Sequence, residues 1–91
     1  MTKDTLKNLN LPDSPGVYFF VDEQKKVLYI GKATSLRNRV RSYFAFDIIE
    51  KRSPLIEQMV AEAHTVEVTE TESVLEALIL ETNLIGTHRP H

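Results

Sequence analysis

Alternation of apolar and polar positions predicts a β-hairpin near the beginning of the chain. Residues 17–21 and 27–30 are two short runs of mainly β-branched and aromatic side chains, and residues 22–26 between them are polar. Runs of this composition around a short polar stretch are typical of two antiparallel strands joined by a loop. The preceding residues 11–16 combine proline, aspartate, serine and glycine, which indicates a turn before the first strand.

The register of this hairpin follows from the faces on which its side chains would lie. If residues 22–25 form a four-residue loop, Val21 pairs with Lys26, whereas a slip by one residue would mix the two sets of side chains. This register places Tyr18 opposite Tyr29, so that two tyrosines lie side by side on the less apolar face. The other face is then formed by Val17, Phe19, Val21, Leu28 and Ile30.

Helical periodicity follows the hairpin. Apolar residues with helical spacing predict helices over about 36–44, 54–64 and 74–85, and the alternating residues 65–69 predict a third strand. The expected fold class is therefore α+β, with three short strands and about three helices.

Hydroxyl residues and one glycine indicate where the helices begin and end. The first helix can be capped at 34 or 35. The last can be capped by Thr71 or Ser73, and Ser73 is preferred because Glu76 follows it with the spacing of a capping box. Gly86 is expected to end that helix.

Two charged residues fall on helix faces that the pattern predicts to be buried. Arg39 lies three residues after Leu36, on or beside the apolar face of the first helix, and Glu81 lies within the apolar stripe of the last helix. A buried charge is costly unless it is paired, hydrogen-bonded or bound to a metal. The pattern alone leaves open whether the two form a structural ion pair or serve a site. The stripe around Glu81 consists of Val74, Ala77, Leu78, Leu84 and Ile85.

Composition limits the class of protein. The 91 residues suit one small domain, and the absence of cysteine excludes disulfides, thiolate nucleophiles and zinc–cysteine sites. Without disulfides we expect a cytoplasmic protein. No apolar run approaches the roughly 20 residues of a membrane span, so no membrane association is expected.

The basic residues are concentrated in one third of the chain. Residues 25–52 carry eight lysines and arginines and only two acidic residues, although the whole chain has a net charge of −2. Such a block can face a phosphate backbone, or it can be an ordinary solvated surface. Arg37 and Arg41, one helical turn apart, and Lys32 are the candidate DNA-binding residues.

Longer motifs in this order and spacing resemble a known family. Gly16–Tyr18 and, after ten intervening residues, Tyr29–Gly31 are similar to the paired signature of the GIY-YIG nucleases. The similarity to one branch, the N-terminal domain of UvrC-type excision-repair proteins, extends from about Leu11 to Pro90. Its further segments are Leu36–Phe44, Glu76–Ile85 and His88–Pro90.

The resemblance implies a three-stranded antiparallel sheet flanked by helices and hydrolysis of a DNA phosphodiester with one divalent ion, Mg²⁺ or Mn²⁺. By position, Glu81 corresponds to the metal ligand and Tyr29 to the catalytic tyrosine of the second signature. The other polar residues of the implied active site are Tyr18, Lys32, Arg39 and Tyr43.

These residue types suit that chemistry. A carboxylate such as Glu81 is a hard ligand for Mg²⁺, and Arg39 can stabilise charge on the phosphate. Tyrosine is a poor base at its ordinary pKa of about 10. We therefore hypothesise that Tyr29 is the base that deprotonates water, that Lys32 lowers its pKa, and that Tyr18 positions water or phosphate.

The family pattern continues beyond His91 with an asparagine near the active site. The chain is therefore expected to be a single nuclease domain, residues 1–91, from a longer protein, and its activity alone is an open question. The expected partners are DNA and other subunits of an excision-repair complex, with a monomeric chain. The alternatives are a stand-alone structure-specific nuclease or a catalytically silent DNA- or protein-binding module on the same fold.

Overall fold

The computed structural model describes residues 9–43 and 54–88, with the side chains of 58–86 in the second range. Three strands and three helices follow one another within these residues. In chain order they are β1 (Gly16–Val21), β2 (Val27–Ala33), α1 (Leu36–Ser42), α2 (Pro54–Glu62), β3 (Thr65–Glu70) and α3 (Val74–His88). The predicted end of the first helix at Phe44 lies outside the described residues.

The three strands form one antiparallel sheet in the order β2-β1-β3. This arrangement confirms the predicted α+β class. The central strand β1 is buried at most of its positions, because β2 and β3 pair with the two edges of this strand and helices cover both faces of the sheet. The outer strands β2 and β3 form the two edges of the sheet.

The predicted register of the hairpin is wrong. Tyr18 lies opposite Gly31, and Phe20 lies opposite Tyr29, with a bulge before Val21 pairs with Val27. The offset of two residues leaves the faces of β1 unchanged, but the bulge turns Leu28 to the opposite face from the one predicted.

The loop explains this register. The carboxylate of Asp22 accepts hydrogen bonds from the backbone N–H groups of Gln24 (2.9 Å) and Lys26 (2.8 Å). Lys25 adopts a φ of 66°, in the left-handed region. The loop geometry set by these bonds, rather than side-chain alternation, determines which residues of the two strands pair.

Two apolar clusters lie on the two sides of the sheet. The first packs Tyr18 and Phe20 of β1 against Leu36 and Val40 of α1 and against the described side chains of α2. The second packs Val17 and Ile30 against α3, where Ala77 is completely buried. The helices α1 and α3 therefore lie on opposite faces of the sheet.

The cap predictions have mixed outcomes. The hydroxyl of Ser35 caps α1 by accepting from the N–H of Asn38 (3.2 Å), and the hydroxyl of Ser73 accepts from the N–H of Glu76 (3.1 Å). The Glu76 carboxylate bonds to the N–H of Glu72 rather than to that of the cap residue. The predicted end at Gly86 is wrong, since α3 continues to His88 and no glycine has the positive φ that ends a helix.

The predicted buried stripe of α3 is also partly wrong. Ala77, Leu80 and Leu84 pack on the sheet, and the predicted members Val74, Leu78 and Ile85 are exposed. Apolar residues nearly surround this helix, so its sequence alone offered two neighbouring stripes. The small side chain of Ala77 marks the stripe that approaches the sheet. No helix within the described ranges is long and apolar enough to cross a membrane.

Candidate functional site

Three tyrosines form one cluster on the α1 side of the sheet: Tyr18 of β1, Tyr29 of β2 and Tyr43, which directly follows α1. The hydroxyl oxygens of Tyr18 and Tyr43 are 2.7 Å apart and form a buried hydrogen bond, in which either can be the donor. The ring centres of Tyr29 lie 6.3 Å from those of both other tyrosines. The predicted proximity of Tyr18 and Tyr29 is thus present, although they are diagonal neighbours and not directly opposed.

Gly31 makes room for this cluster. The position opposite Tyr18 on β2 carries no side chain, and the Tyr18 ring lies against the glycine backbone. A methyl group at Gly31 would collide with the end of that ring. Glycine is therefore required here by close approach and not by an unusual backbone conformation.

Burial distinguishes the tyrosines chemically. Removal from water raises the pKa of Tyr18 above its usual value, against the opposing effects of Tyr43 and Arg39. Burial and the hydrogen bond to Tyr18 also raise the pKa of Tyr43. Both side chains therefore remain protonated near neutral pH and act as hydrogen-bonding groups. Tyr29 is only half-buried and so remains accessible to water.

Arg39 lies at the rim of the tyrosine cluster. Its guanidinium carbon is 5.8 Å from the centre of the Tyr43 ring, and a side-chain hydrogen bond to Tyr18 raises the pKa of Arg39 above its already high value. Arg39 therefore lies beside the apolar face, which is one of the two predicted positions, and the residue as a whole is exposed and not buried.

Glu81 faces the sheet from α3, as predicted. Its side chain is 17% exposed, and one carboxylate oxygen lies 4.0 Å from the ammonium of Lys32, which is 45% exposed. The alternative that Glu81 pairs with Arg39 is not what the structure shows, because within the described residues the ion-pair partner of Glu81 is Lys32.

The end of β2 connects the two groups. Gly31 lies under the tyrosine cluster, and the next residue, Lys32, points to the opposite face, towards α3. Because β2 is an edge strand, both groups adjoin one margin of the sheet. The structure thus brings together Tyr18, Tyr29, Tyr43 and Arg39 on one face, with Lys32 and Glu81 on the other.

The donor set suits a hard divalent ion held through water. Within residues 9–43 and 54–88, no group of three or more histidine, cysteine or acidic side chains could enclose a metal. A single carboxylate is nevertheless enough for Mg²⁺, which usually keeps several waters and takes one or two carboxylates. Glu81 therefore fits Mg²⁺ better than it fits an ion that needs a closed cage.

Of the two arginines predicted to bind DNA, one has an internal partner. A guanidinium nitrogen of Arg37 lies 3.0 Å from a carboxylate oxygen of Asp13, whose other oxygen accepts from the hydroxyl of Ser35 at 2.6 Å. Arg41 is exposed. This role of Asp13 is not predictable from local sequence, because its bond to Ser35 spans 22 residues and leaves no local signal.

Comparisons with known proteins identify the family of this chain. The family model of the UvrC-like GIY-YIG domain matches residues 14–91. The UvrABC system protein C of Carboxydothermus hydrogenoformans is 53% identical over 81 residues, which are 89% of this chain and 13% of that protein. The corresponding protein of Borreliella burgdorferi is 46% identical over 93 residues, covering 97% of this chain and 15% of its own length.

Solved structures are similar to this chain over almost the whole length of both. The GIY-YIG N-terminal endonuclease domain of UvrC from Thermotoga maritima, bound to its catalytic divalent cation magnesium, has a TM-score of 0.80 and 36% identity, covering 99% of this chain and 96% of that one. A tyrosine-to-phenylalanine variant of that domain, also bound to the cation, has the same TM-score. This chain spans 13% and 15% of the length of the two curated relatives named above. It belongs to the family of UvrC-like GIY-YIG domains.

Proposed function

We propose that this domain is a divalent-cation-dependent endonuclease that hydrolyses a DNA phosphodiester. The observation that carries the proposal is the placement of the Glu81 carboxylate, two cationic side chains and a half-buried tyrosine along one margin of the sheet. The solved relative with this fold binds magnesium as its catalytic cation. One Mg²⁺ or Mn²⁺ ion is therefore the proposed cofactor.

Glu81 is the proposed protein ligand of the cation. Its low exposure and its position in a helix stripe hold the carboxylate in one place. The bound ion supplies charge stabilisation at the phosphate oxygens. A tyrosine-to-phenylalanine variant of the solved relative also binds the cation, so the hydroxyl of that tyrosine is not needed as a ligand in the relative.

Arg39 and Lys32 supply positive charge to the phosphate. The guanidinium of Arg39 is permanently charged, exposed and held at the rim by Tyr18 and Tyr43. A planar guanidinium can donate two parallel hydrogen bonds to phosphate oxygens. Lys32 lies on a flexible stem that reaches the same margin.

The three tyrosines divide their roles. Tyr29 is the proposed general base, because it is the only half-buried residue of the three tyrosines and so the one that an attacking water can approach. Tyr18 and Tyr43 keep their protons and orient Arg39 and Tyr29 through hydrogen bonds and ring packing. The hypothesis that Lys32 activates Tyr29 stays a prediction; its charge is shared with Glu81.

The proposed substrate is DNA, cut as part of excision repair together with other subunits, as the name of the curated relatives indicates. The proposed location is the cytoplasm, with a monomeric chain. Arg41 is a stronger candidate than Arg37 for a contact with the DNA backbone, because Asp13 lies 3.0 Å from the Arg37 guanidinium. Lys32 stays a candidate, since its ion pair with Glu81 is longer, at 4.0 Å.

The test is nicking of supercoiled plasmid DNA by the natural protein that contains this chain, with Mg²⁺ or Mn²⁺. Glu81→Gln and Tyr29→Phe should each lower the rate about a hundredfold or more, because one removes a metal ligand and the other the base. Glu67→Gln, an exposed carboxylate on β3, is the matched control and should retain the parental rate.

A folded parent that fails to nick, even on damaged duplex with repair partners supplied, would favour the silent binding module instead. Equal loss in the Glu67→Gln control would mean that a general change of charge, and not Glu81, explains the effect.

A further inference from the structure

The ion pair between Lys32 and Glu81 has a consequence for the cation. We propose that Lys32 sets the affinity of the site for its divalent cation by competing with that cation for the Glu81 carboxylate, an inference that rests on the proposed function of Glu81. Lys32 thereby ties cation binding to the arrival of an anionic substrate.

The geometry places the lysine where a cation must act. The ammonium nitrogen of Lys32 lies 4.0 Å from a carboxylate oxygen of Glu81. Magnesium bound to that carboxylate would lie about 2.0–2.1 Å from its oxygen. The ammonium and the ion would then be within a few ångströms of each other, unless the lysine moves.

The two side chains differ in freedom to move. Glu81 is 17% exposed and belongs to the helix face that packs on β2, whereas Lys32 is 45% exposed at the end of an edge strand. The carboxylate is therefore the fixed partner and the ammonium the mobile one. Within the described residues, Lys32 is the cationic side chain that forms an ion pair with Glu81.

Electrostatics gives the sign and size of the effect. Cation binding in the parent has two costs: the ion pair must separate, and the ammonium then repels the bound ion. Removing the lysine charge eliminates both, and the affinity for a divalent cation should rise about tenfold, on the scale of charges a few ångströms apart near a protein surface. The difference should shrink at high ionic strength.

A phosphodiester changes this balance. A phosphate beside the site offers the ammonium another anion, so that Lys32 ceases to compete for Glu81. DNA should therefore strengthen cation binding more in the parent than in a Lys32→Gln variant. By linkage, the cation should strengthen DNA binding by the same factor.

The experiment measures Mn²⁺ binding by the loss of the free-ion electron paramagnetic resonance signal, at constant pH, without DNA and with a short duplex. The variants are Lys32→Gln, Lys32→Arg, which keeps the charge, and Glu81→Gln. Lys26→Gln, an exposed lysine in the hairpin loop, controls for the same change of net charge. Circular dichroism confirms that each variant is folded.

The expected result is about tenfold tighter Mn²⁺ binding by Lys32→Gln, with values within about twofold of the parent for Lys32→Arg and Lys26→Gln. An unchanged or weaker affinity of folded Lys32→Gln, with clear binding by the parent, would overturn the competition and leave the proposed metal site standing. An unchanged or weaker affinity is the result expected if the ion pair only stabilises the fold and does not compete with the cation. Absence of saturable binding by the parent, or undiminished binding by Glu81→Gln, would overturn the assignment of Glu81 and this inference together.

Discussion

The buried hydroxyl pair of Tyr18 and Tyr43 can be tested by removing one oxygen atom at a time. Phenylalanine keeps the ring of each residue, so Tyr18→Phe and Tyr43→Phe change the hydrogen bond with little change of packing volume. The two side chains are 1% and 6% exposed, and their oxygens are 2.7 Å apart. Water therefore has little access to the bond between the two hydroxyls.

The structure sets the expected magnitude. A single substitution leaves one buried hydroxyl without this bond and should lower the free energy of unfolding by about 1–2 kcal/mol. The double substitution removes both hydroxyls, so neither is left without its bond to the other. Its cost should therefore fall short of the sum of the single costs by about 1 kcal/mol, which is the coupling energy of the pair.

The assay is urea unfolding of the parent, the two single variants and the double variant, followed by circular dichroism and analysed with a common slope. Tyr29→Phe, which removes a half-buried hydroxyl, is the matched control and should cost less than either buried substitution. Additive costs, within about 0.3–0.5 kcal/mol, would refute the reasoning that the two hydroxyls depend on each other.

Three further predictions concern the tyrosine cluster and the contacts of α1. Gly31→Ala should destabilise the domain by about 1–3 kcal/mol, because the added methyl group displaces the buried Tyr18 ring; an unchanged thermal midpoint would contradict this. Burial raises the pKa values of Tyr18 and Tyr43 above 10.0 in the folded state, so their contribution to stability is present below pH 10 and is lost as the pH rises above it. The urea midpoint of the parent should therefore fall above pH 10, and that of the double phenylalanine variant should fall less. Asp13→Asn breaks a half-exposed ion pair with Arg37 and should cost less than about 1 kcal/mol in urea unfolding, so a loss above 2 kcal/mol would show that Asp13 holds α1 in place more strongly than its exposure suggests.

Local signals in the sequence predicted the elements of this domain well. The strands, the helices, and the caps Ser35 and Ser73 follow from periodicity and capping chemistry, which act within a few residues. The inward position of Glu81 was also predicted, because Glu81 has helical spacing from Ala77 and Leu84, the two members of the predicted stripe that do pack on the sheet. The family resemblance, confirmed by the comparisons, added the chemistry.

Tertiary structure decided how these elements meet. Apolar residues nearly surround α3, so only contact with β1 and β2 selected the Ala77 stripe and left Leu78 exposed. The bonds of Asp22 within its loop selected a register that alternation could not distinguish from one shifted by two residues. Periodicity encodes the face on which a residue lies, but it carries no information about the partner it meets. The pairing of Glu81 with Lys32 therefore emerged only when α3 packed beside the end of β2.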